Sequence, residues 1–336
     1  MAEPGLTEYV TTTGRRRMKV LRDNIGNHIP VYRSMKENDG LESYSGGRSI
    51  VEEMSYAENA TYQRYYNAQP LNTALNFTMT AAEFAHKQIA IAVVMSGLEK
   101  RINSGPEQFI DLSASRYKIA EQSFLNNFEA DLISDGTADG GLQIGGLKAA
   151  VTTTPTVGSY GGFDRSAAGG AFYRNLKFAT TTDSTAPAPG GVATSSANIK
   201  DYYNYMINQL RRGSDRPTIV IAGQSHYQFL QSAMFAIQRI TDEKRSVDAG
   251  FRELEYLGIP VVMSGGVNFG GQTYIATDRS YFLNTKYFKL KYHKDANMEP
   301  LEELRSINAE VWCQLIIWMG NVTVSNSRLQ GVMFDS

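Results

Sequence analysis

Apolar residues recur every three or four positions between about 113 and 134. Tyr117, Ala120, Phe124, Phe128 and Leu132 share one stripe, while Arg116, Lys118, Glu121, Asn127 and Asp131 fall largely off it. This period predicts an amphipathic helix buried along one side. At about 1.5 Å per residue, about 22 residues make a rod of about 33 Å. Asp135-Gly136 ends it. Ile199, Tyr203, Met206 and Leu210 line a second such helix, with Gly213 just past its end and Arg211-Arg212 placed to complement its dipole. A third helix is expected from Thr80 to about Ile102. Thr80 and Glu83 form a capping box, and Asn103-Ser104-Gly105-Pro106 stops the run.

Other stretches read as strands. Residues 41–79 hold "RSIVEEMSYA" and "ATYQRYYNAQPL", rich in β-formers and aromatics, and predict two long strands of a hairpin. A lone two-stranded ribbon is marginal in water, so it needs a partner surface. "RPTIVIAG" is a buried strand, followed by Ser225 as the cap of "HYQFLQSAMFAI". "LGIPVVMS" and "TYIATD" are further strands, and "RSYFLNTKYFKLKYHK" is expected to continue their sheet. The tail, "NAEVWCQLIIWMGNVTVSNSRLQGVMF", is strand-rich and is expected to return to the helices of the first half. Residues 1–40 are polar and weakly periodic, an arm that must dock elsewhere or stay loose. Residues 135–198 are Gly- and Thr-rich and read as loops. The class is α+β.

Composition narrows the chemistry. With 336 residues, 42% hydrophobic and 20% charged, the chain can build a real core in one large or two medium domains. A net charge of −1 argues against strong non-specific attraction to nucleic acid or membrane. No run reaches the roughly 20 apolar residues of a membrane span, and the N-terminus lacks the apolar core of a secretory signal. The expected setting is a reducing cytoplasm. The single cysteine, Cys313, excludes an intrachain disulfide and reads as a small buried hydrophobe.

Chemical motifs fail on detail. "GGLQIGGLKAAVTTTPTVGSYGGFDR" suggests a phosphate loop. Gly141 and Gly146 have that spacing, but Leu147 stands where Lys belongs and Ala149 follows Lys148. The stretch also follows a helix, not a strand. Glycines used for positive φ and close approach are the plainer reading. The histidines, His28, His86, His226 and His293, have no neighbours at metal-ligand spacing. His86 reads as packed or surface on the Thr80 helix. Ser225-His226 has no nucleophile-elbow context. Glu299, Glu302 and Glu303, and the pair Glu52-Glu53, read as solvated or subunit-contact faces. Arg15-Arg16-Arg17 fits a salt bridge to a neighbouring chain at least as well as nucleic acid. No catalytic, cofactor-binding or metal-binding residue is expected. There are 19 tyrosines, and Tyr62, Tyr65 and Tyr66 crowd the hairpin; such aromatics are enriched at protein contacts. An arm, a ribbon and an aromatic surface that all need partners describe a self-assembling subunit.

The order of these elements resembles the major capsid protein of tailed bacteriophages, the Hong Kong 97-type fold. "GLQIGGLKAAVTTTPTVGSYGGFDR" followed by "FYRN", then "FRELEYLGIPVV" and "MGNVTVSNSRLQGVMF", are similar to stretches of such proteins. The resemblance implies an N-terminal arm at 1–40 and an extended loop at 41–79. It implies a peripheral domain from 80–150 and 300–336, with its spine helix at about 113–134. A connecting segment at 151–198 leads to an axial domain at 199–299. It further implies hexamers and pentamers of this chain, an icosahedral shell around double-stranded DNA held without sequence specificity, and no enzyme activity, cofactor or membrane. Portal, scaffolding and decoration proteins would be partners, with assembly in the host bacterial cytoplasm. An encapsulin-type compartment shell, a nucleotide-dependent enzyme built on 199–295, and a tail or filament subunit are the alternatives.

Two departures from the type member matter. That protein links its extended loop to a neighbour by a Lys–Asn isopeptide bond, whereas no Lys occurs here between Lys36 and Lys87, only Arg48 and Arg64 within the loop. A shell without covalent cross-links is expected. The type member also carries a long cleaved scaffolding region; the short arm here implies a separate scaffolding protein, with the initial Met arguing against processing.

Overall fold

The computed structural model describes residues 30–102, 106–235, 254–264, 275–301, 304–305 and 310–336. The stripe from Tyr117 to Leu132 is buried throughout, and what it covers is a sheet. Its helix, α3 (Pro106–Ile133), follows a short α1 (Pro30–Glu37) and α2 (Gly97–Ile102). α3 begins earlier than its periodicity suggests. Pro106, expected to end the preceding element, instead opens this one, because a first-turn proline has no needed N–H to lose. Phe128 of α3 meets Trp318 edge-to-face at 5.0 Å.

That sheet has five strands in the order β1 (Leu41–Tyr44), β12 (Phe288–Pro300), β14 (Val311–Val324), β13 (Leu304–Arg305), with β4 (Lys87–Ser96) on the free side of β14. The tail thus returns to the first half of the chain. β4 is a correction. The segment expected as a capped helix from Thr80 is instead β3 (Met79–Phe84), a turn, and β4. Ile89, Ile91, Val93 and Met95 alternate with Ala90, Ala92 and Val94. Ten residues of β4 pair antiparallel with β14, from Lys87 opposite Gly320 to Ser96 opposite Val311. A continuous ten-residue ladder to β14, with Val93 and Met95 buried against the core, outweighs a modest helix propensity. Only Gly97–Ile102 is helical.

After a short two-stranded ribbon, β5 (Ser159–Tyr160) and β6 (Phe163–Asp164), a six-stranded sheet runs β7 (Leu176–Ala179), β15 (Gly331–Phe334), β11 (Arg279–Leu283), β8 (Ile219–Ala222), β10 (Ile259–Met263), β9 (Leu254–Tyr256). β8 is buried along its whole length. β9 and β10 meet through Leu257-Gly258, both at positive φ, as a tight hairpin requires. Two helices complete this unit, α5 (Ile199–Leu210) and α6 (Gln224–Phe235), the one-turn α4 being Leu147–Ala150. Ile199, Tyr203, Met206 and Leu210 are buried as their spacing predicts.

The chain crosses between the sheets three times, first between β4 and β7. "RSYFLNTKYFKLKYHK" does not continue one sheet: 279–283 lie in the six-stranded sheet and 288–300 in the five-stranded one. The tail crosses back, Val311–Val324 to one and Gly331–Phe334 to the other. Sheet membership therefore cuts across a division of the chain near residue 300.

Residues 30–37, read as part of a polar arm, form helix α1. Val31, Tyr32 and Met35 are buried, and Tyr32 packs its ring against Phe128 at 6.0 Å. Residues 1–29, with Arg15-Arg16-Arg17 and His28, lie outside the described residues. Cys313 is half-buried rather than buried.

Candidate functional site

The hairpin of the 41–79 region is shorter than expected. Its strands are β2 (Ile50–Ser55) and β3 (Met79–Phe84), forming a separate two-stranded sheet. Between them, residues 56–78 form a loop held by its own polar side chains. Tyr56 N–H donates to the Thr78 carbonyl at 3.1 Å and its hydroxyl to Phe77 O at 2.8 Å. Gln63 accepts from Asn72 N–H at 3.1 Å and donates to Pro70 O at 3.2 Å. These bonds leave the apolar groups outward. Tyr62, Tyr66 and Leu75 are 80%, 83% and 93% exposed. Exposed aromatics clustered on one projection mark a contact surface.

The hairpin root is a charge cluster that sequence reading missed. Lys291 lies opposite Glu42 in the β1–β12 register. Its ammonium is 2.9 Å from Glu52 Oε1 and 3.4 Å from Glu42 Oε1, and Lys289 is 3.0 Å from Glu42 Oε2. Thr323 donates its hydroxyl to Glu52 Oε1 at 2.7 Å. Burial opposes the Glu42 charge, yet the two lysines hold its pKa below the usual value. Burial likewise opposes charge on Lys291, and the Glu52 and Glu42 carboxylates nonetheless raise its pKa. The Glu52-Glu53 pair is therefore corrected: only Glu53 is exposed, and Glu52 turns inward. The alternation of "KLK" at 289–291 was the available signal, since period two puts both lysines on one face.

His86 is not on a helix but in the β3–β4 turn. Its Nε2 donates to Gly47 O at 3.0 Å, which leaves Nδ1 to accept from the Tyr44 hydroxyl at 2.9 Å. His293 packs edge-on against Tyr44 at 5.4 Å and accepts from Asp295 N–H at 3.2 Å. Glu299 lies in β12; Glu302 and Glu303 lie outside the described residues.

The glycine-rich stretch is packed tightly at Gly146, although Gly140, Gly141, Gly158 and Gly162 have open space around them. A Cβ on Gly146 would stand 2.5 Å from the carbonyl oxygens of Asp131 and Leu132 at the end of α3. Those carbonyls repel a phosphate, so the space a nucleotide loop needs is filled by the wrong charge. Gly145 N–H donates to Asn321 Oδ1 at 3.1 Å. Buried Arg165 donates to the Ala150 carbonyl at 2.8 Å and lies over the Tyr160 ring at 4.9 Å. The stretch ties α3 to the sheet beneath it.

His226 has unexpected company. It is fully buried, its Nδ1 2.9 Å from Ser280 Oγ, which is also 2.9 Å from the Tyr203 hydroxyl. Its Nε2 stands 3.7 Å from Asp335 Oδ1, too long for a hydrogen bond. Burial would raise the Asp335 pKa, but His226 and the Thr180 and Thr194 hydroxyls together hold it well below the carboxylate range. Serine, histidine and aspartate thus meet, but Ser280 and His226 have no exposed surface, so no substrate reaches them. The set joins the last strand to α6. Among the described residues, no group of three or more His, Cys, Asp or Glu could hold a metal ion. No described helix is long and apolar enough to cross a membrane.

No profile of a known protein family matches the chain, and no curated protein does. Solved structures do. A cyanophage A-1(L) capsid chain matches at TM-score 0.62 and 12% identity, covering 92% of each chain. The Gordonia phage Cozz structure matches at TM-score 0.54 and 12% identity, over 89% of this chain and 85% of that one. A Synechococcus elongatus encapsulin matches at TM-score 0.50 and 11% identity, over 89% and 86%. Identities this low speak for architecture alone. The chain has the α+β fold of the Hong Kong 97-type shell proteins, over nearly its whole length.

Proposed function

We propose that this chain is the major capsid protein of a tailed bacteriophage. Many copies, as hexamers and pentamers, tile an icosahedral head around packaged double-stranded DNA. The observation that carries this reading is the likeness to a phage capsid chain over 92% of both chains. The exposed Tyr- and Leu-bearing loop supports it, because among the described residues nothing covers that surface. The five-stranded sheet with its spine helix serves as the peripheral domain, and the six-stranded sheet with α5 and α6 as the axial domain. The 41–79 region is the extended loop. Contacts of this kind are individually weak and gain strength by repetition.

On this reading the subunit acts mechanically and catalyses no reaction. It assembles in the host bacterial cytoplasm and ends in the virion. Its partners are other copies, a separate scaffolding protein, a portal, a decoration protein, and DNA bound without sequence preference. The near-neutral charge suits a lining that must let DNA enter and leave. The encapsulin likeness keeps a cargo compartment as the second reading. Expression with and without a candidate scaffold, followed by negative-stain imaging, tests both. Closed shells that package DNA support the first, and DNA-free shells loaded with a protein cargo the second. Persistent monomers or open filaments would overturn both.

A further inference from the structure

Among the described residues, the β2–β3 hairpin has no strand pairing with either large sheet, and three things attach it. Ile50, Met54, Ala82 and Phe84 are buried, Phe84 against Tyr160 at 5.2 Å. Glu83 N–H donates to the Gly161 carbonyl at 3.2 Å. The third attachment is ionic, Glu52 against Lys291 and Thr323. The connection from β1 is built to turn. Gly46 and Gly47 have φ of +140° and +125°, a region that glycine enters without strain. The other side is pinned: His86 holds the turn into β4 through Tyr44 and Gly47, and Asn321 Nδ2 donates to the Ala85 carbonyl at 2.8 Å.

An apolar wedge has no directional preference of its own, whereas a charge pair with a fixed third partner has one geometry. Glu52 faces Lys291 on β12 and Thr323 on β14, so its position is triangulated from two neighbouring strands. Glu42 and Lys289 complete the cluster, so Lys291 keeps a partner if Glu52 is changed. The pairs are partly buried and weakly screened by salt. A small rotation here is magnified at the loop beyond Ser55 and Met79.

We propose that the Glu52–Lys291 pair is a lock that fixes the hairpin's angle on the body, with Gly46-Gly47 as the hinge and the Ala85–His86 turn as the fixed pivot. Glu52 and Lys291 are then positioning residues for assembly: they decide where the exposed loop meets a neighbouring copy without touching that copy. The assembly half of this inference rests on the shell reading above.

The test uses the full chain as wild type, Glu52→Gln, Lys291→Met and Lys291→Arg. Amide hydrogen exchange is read at 50–55 and 79–84, and particle diameters by electron microscopy. Glu52→Gln and Lys291→Met should speed hairpin exchange by about tenfold while β8 and β14 exchange at the wild-type rate. The same two should broaden the spread of particle diameters, and Lys291→Arg should restore both readouts. Unchanged hairpin exchange would overturn the lock. So would equal acceleration in every element, which would signify general destabilisation, or failure of Lys291→Arg to restore. If the wild type forms no particles, the shell reading falls, while the exchange comparison still decides whether the lock exists.

Discussion

The buried side chain of Gln330 binds both backbone groups of Asn284. Asn284 N–H donates to Gln330 Oε1 at 2.8 Å, and Gln330 Nε2 donates to the Asn284 carbonyl at 3.2 Å. These residues stand at the last two of the three points where the chain passes between its sheets, after β11 and before β15. Ser325 N–H donates to Tyr287 O at 2.9 Å alongside them. One amide stitches both crossovers. Gln330→Leu leaves the Asn284 N–H buried without that acceptor, while the Asn284 carbonyl keeps the N–H groups of Tyr287 and Phe288 at 3.1 and 2.9 Å. It should cost about 1–3 kcal/mol in urea unfolding. A loss under about 0.5 kcal/mol would show that water replaces the amide.

Gly146 is required by space rather than by φ. Gly146→Ala should cost about 1–3 kcal/mol, because the added carbon meets two carbonyls at the end of α3. Gly169 has open space around its Cβ position, so Gly169→Ala should change stability by no more than about 0.5 kcal/mol. Thermal unfolding of the pair checks the contrast.

Two kinds of carboxylate give opposite pH responses. Burial raises the pKa of Glu129, only partly countered by its hydrogen bond from Ser264, at 3.4 Å. Its native form holds the proton more tightly than the unfolded one. The penalty is absent below the unfolded pKa and grows as pH rises through the native one. Glu129→Gln should therefore be more stable than wild type at pH 7 and equal to it near pH 3. Asp335 has a depressed pKa, so its contribution is present at neutral pH and is lost as pH falls through the native value. Asp335→Asn should be less stable than wild type at pH 7, with the gap closing in strong acid. Denaturant titrations across pH read both, and an Asp335→Asn gap that widens on acidification would contradict the assignment.

The exposed loop should matter to the assembly and not to the fold. Tyr62→Ser with Tyr66→Ser should leave the unfolding midpoint within about 0.5 kcal/mol of wild type, since neither ring is buried. Particle yield should fall sharply. Full yield in the double variant would remove the loop from the contact.

The cross-link prediction follows from residue type alone. Arg48 and Arg64 cannot form an amide with an asparagine side chain, and no lysine lies between Lys36 and Lys87. Dissociated particles should run as single chains in denaturing electrophoresis and mass spectrometry. A ladder of linked chains would contradict this.

Periodicity alone determined the two amphipathic helices, because a stripe from Tyr117 to Leu132 or from Ile199 to Leu210 can be buried only one way. It also located the buried strand at Ile219–Ala222, where a short apolar run has no polar face to expose. What only the tertiary structure decided were pairings between distant residues. Residues 87–96 became a strand because Val311–Val324 lay beside them, a partner invisible to local propensity. Lys291 met Glu52, and His226 met Asp335, across separations no motif spans. Charge and hydrogen-bond clusters are set by which strands become neighbours, and that choice is made by the whole core at once.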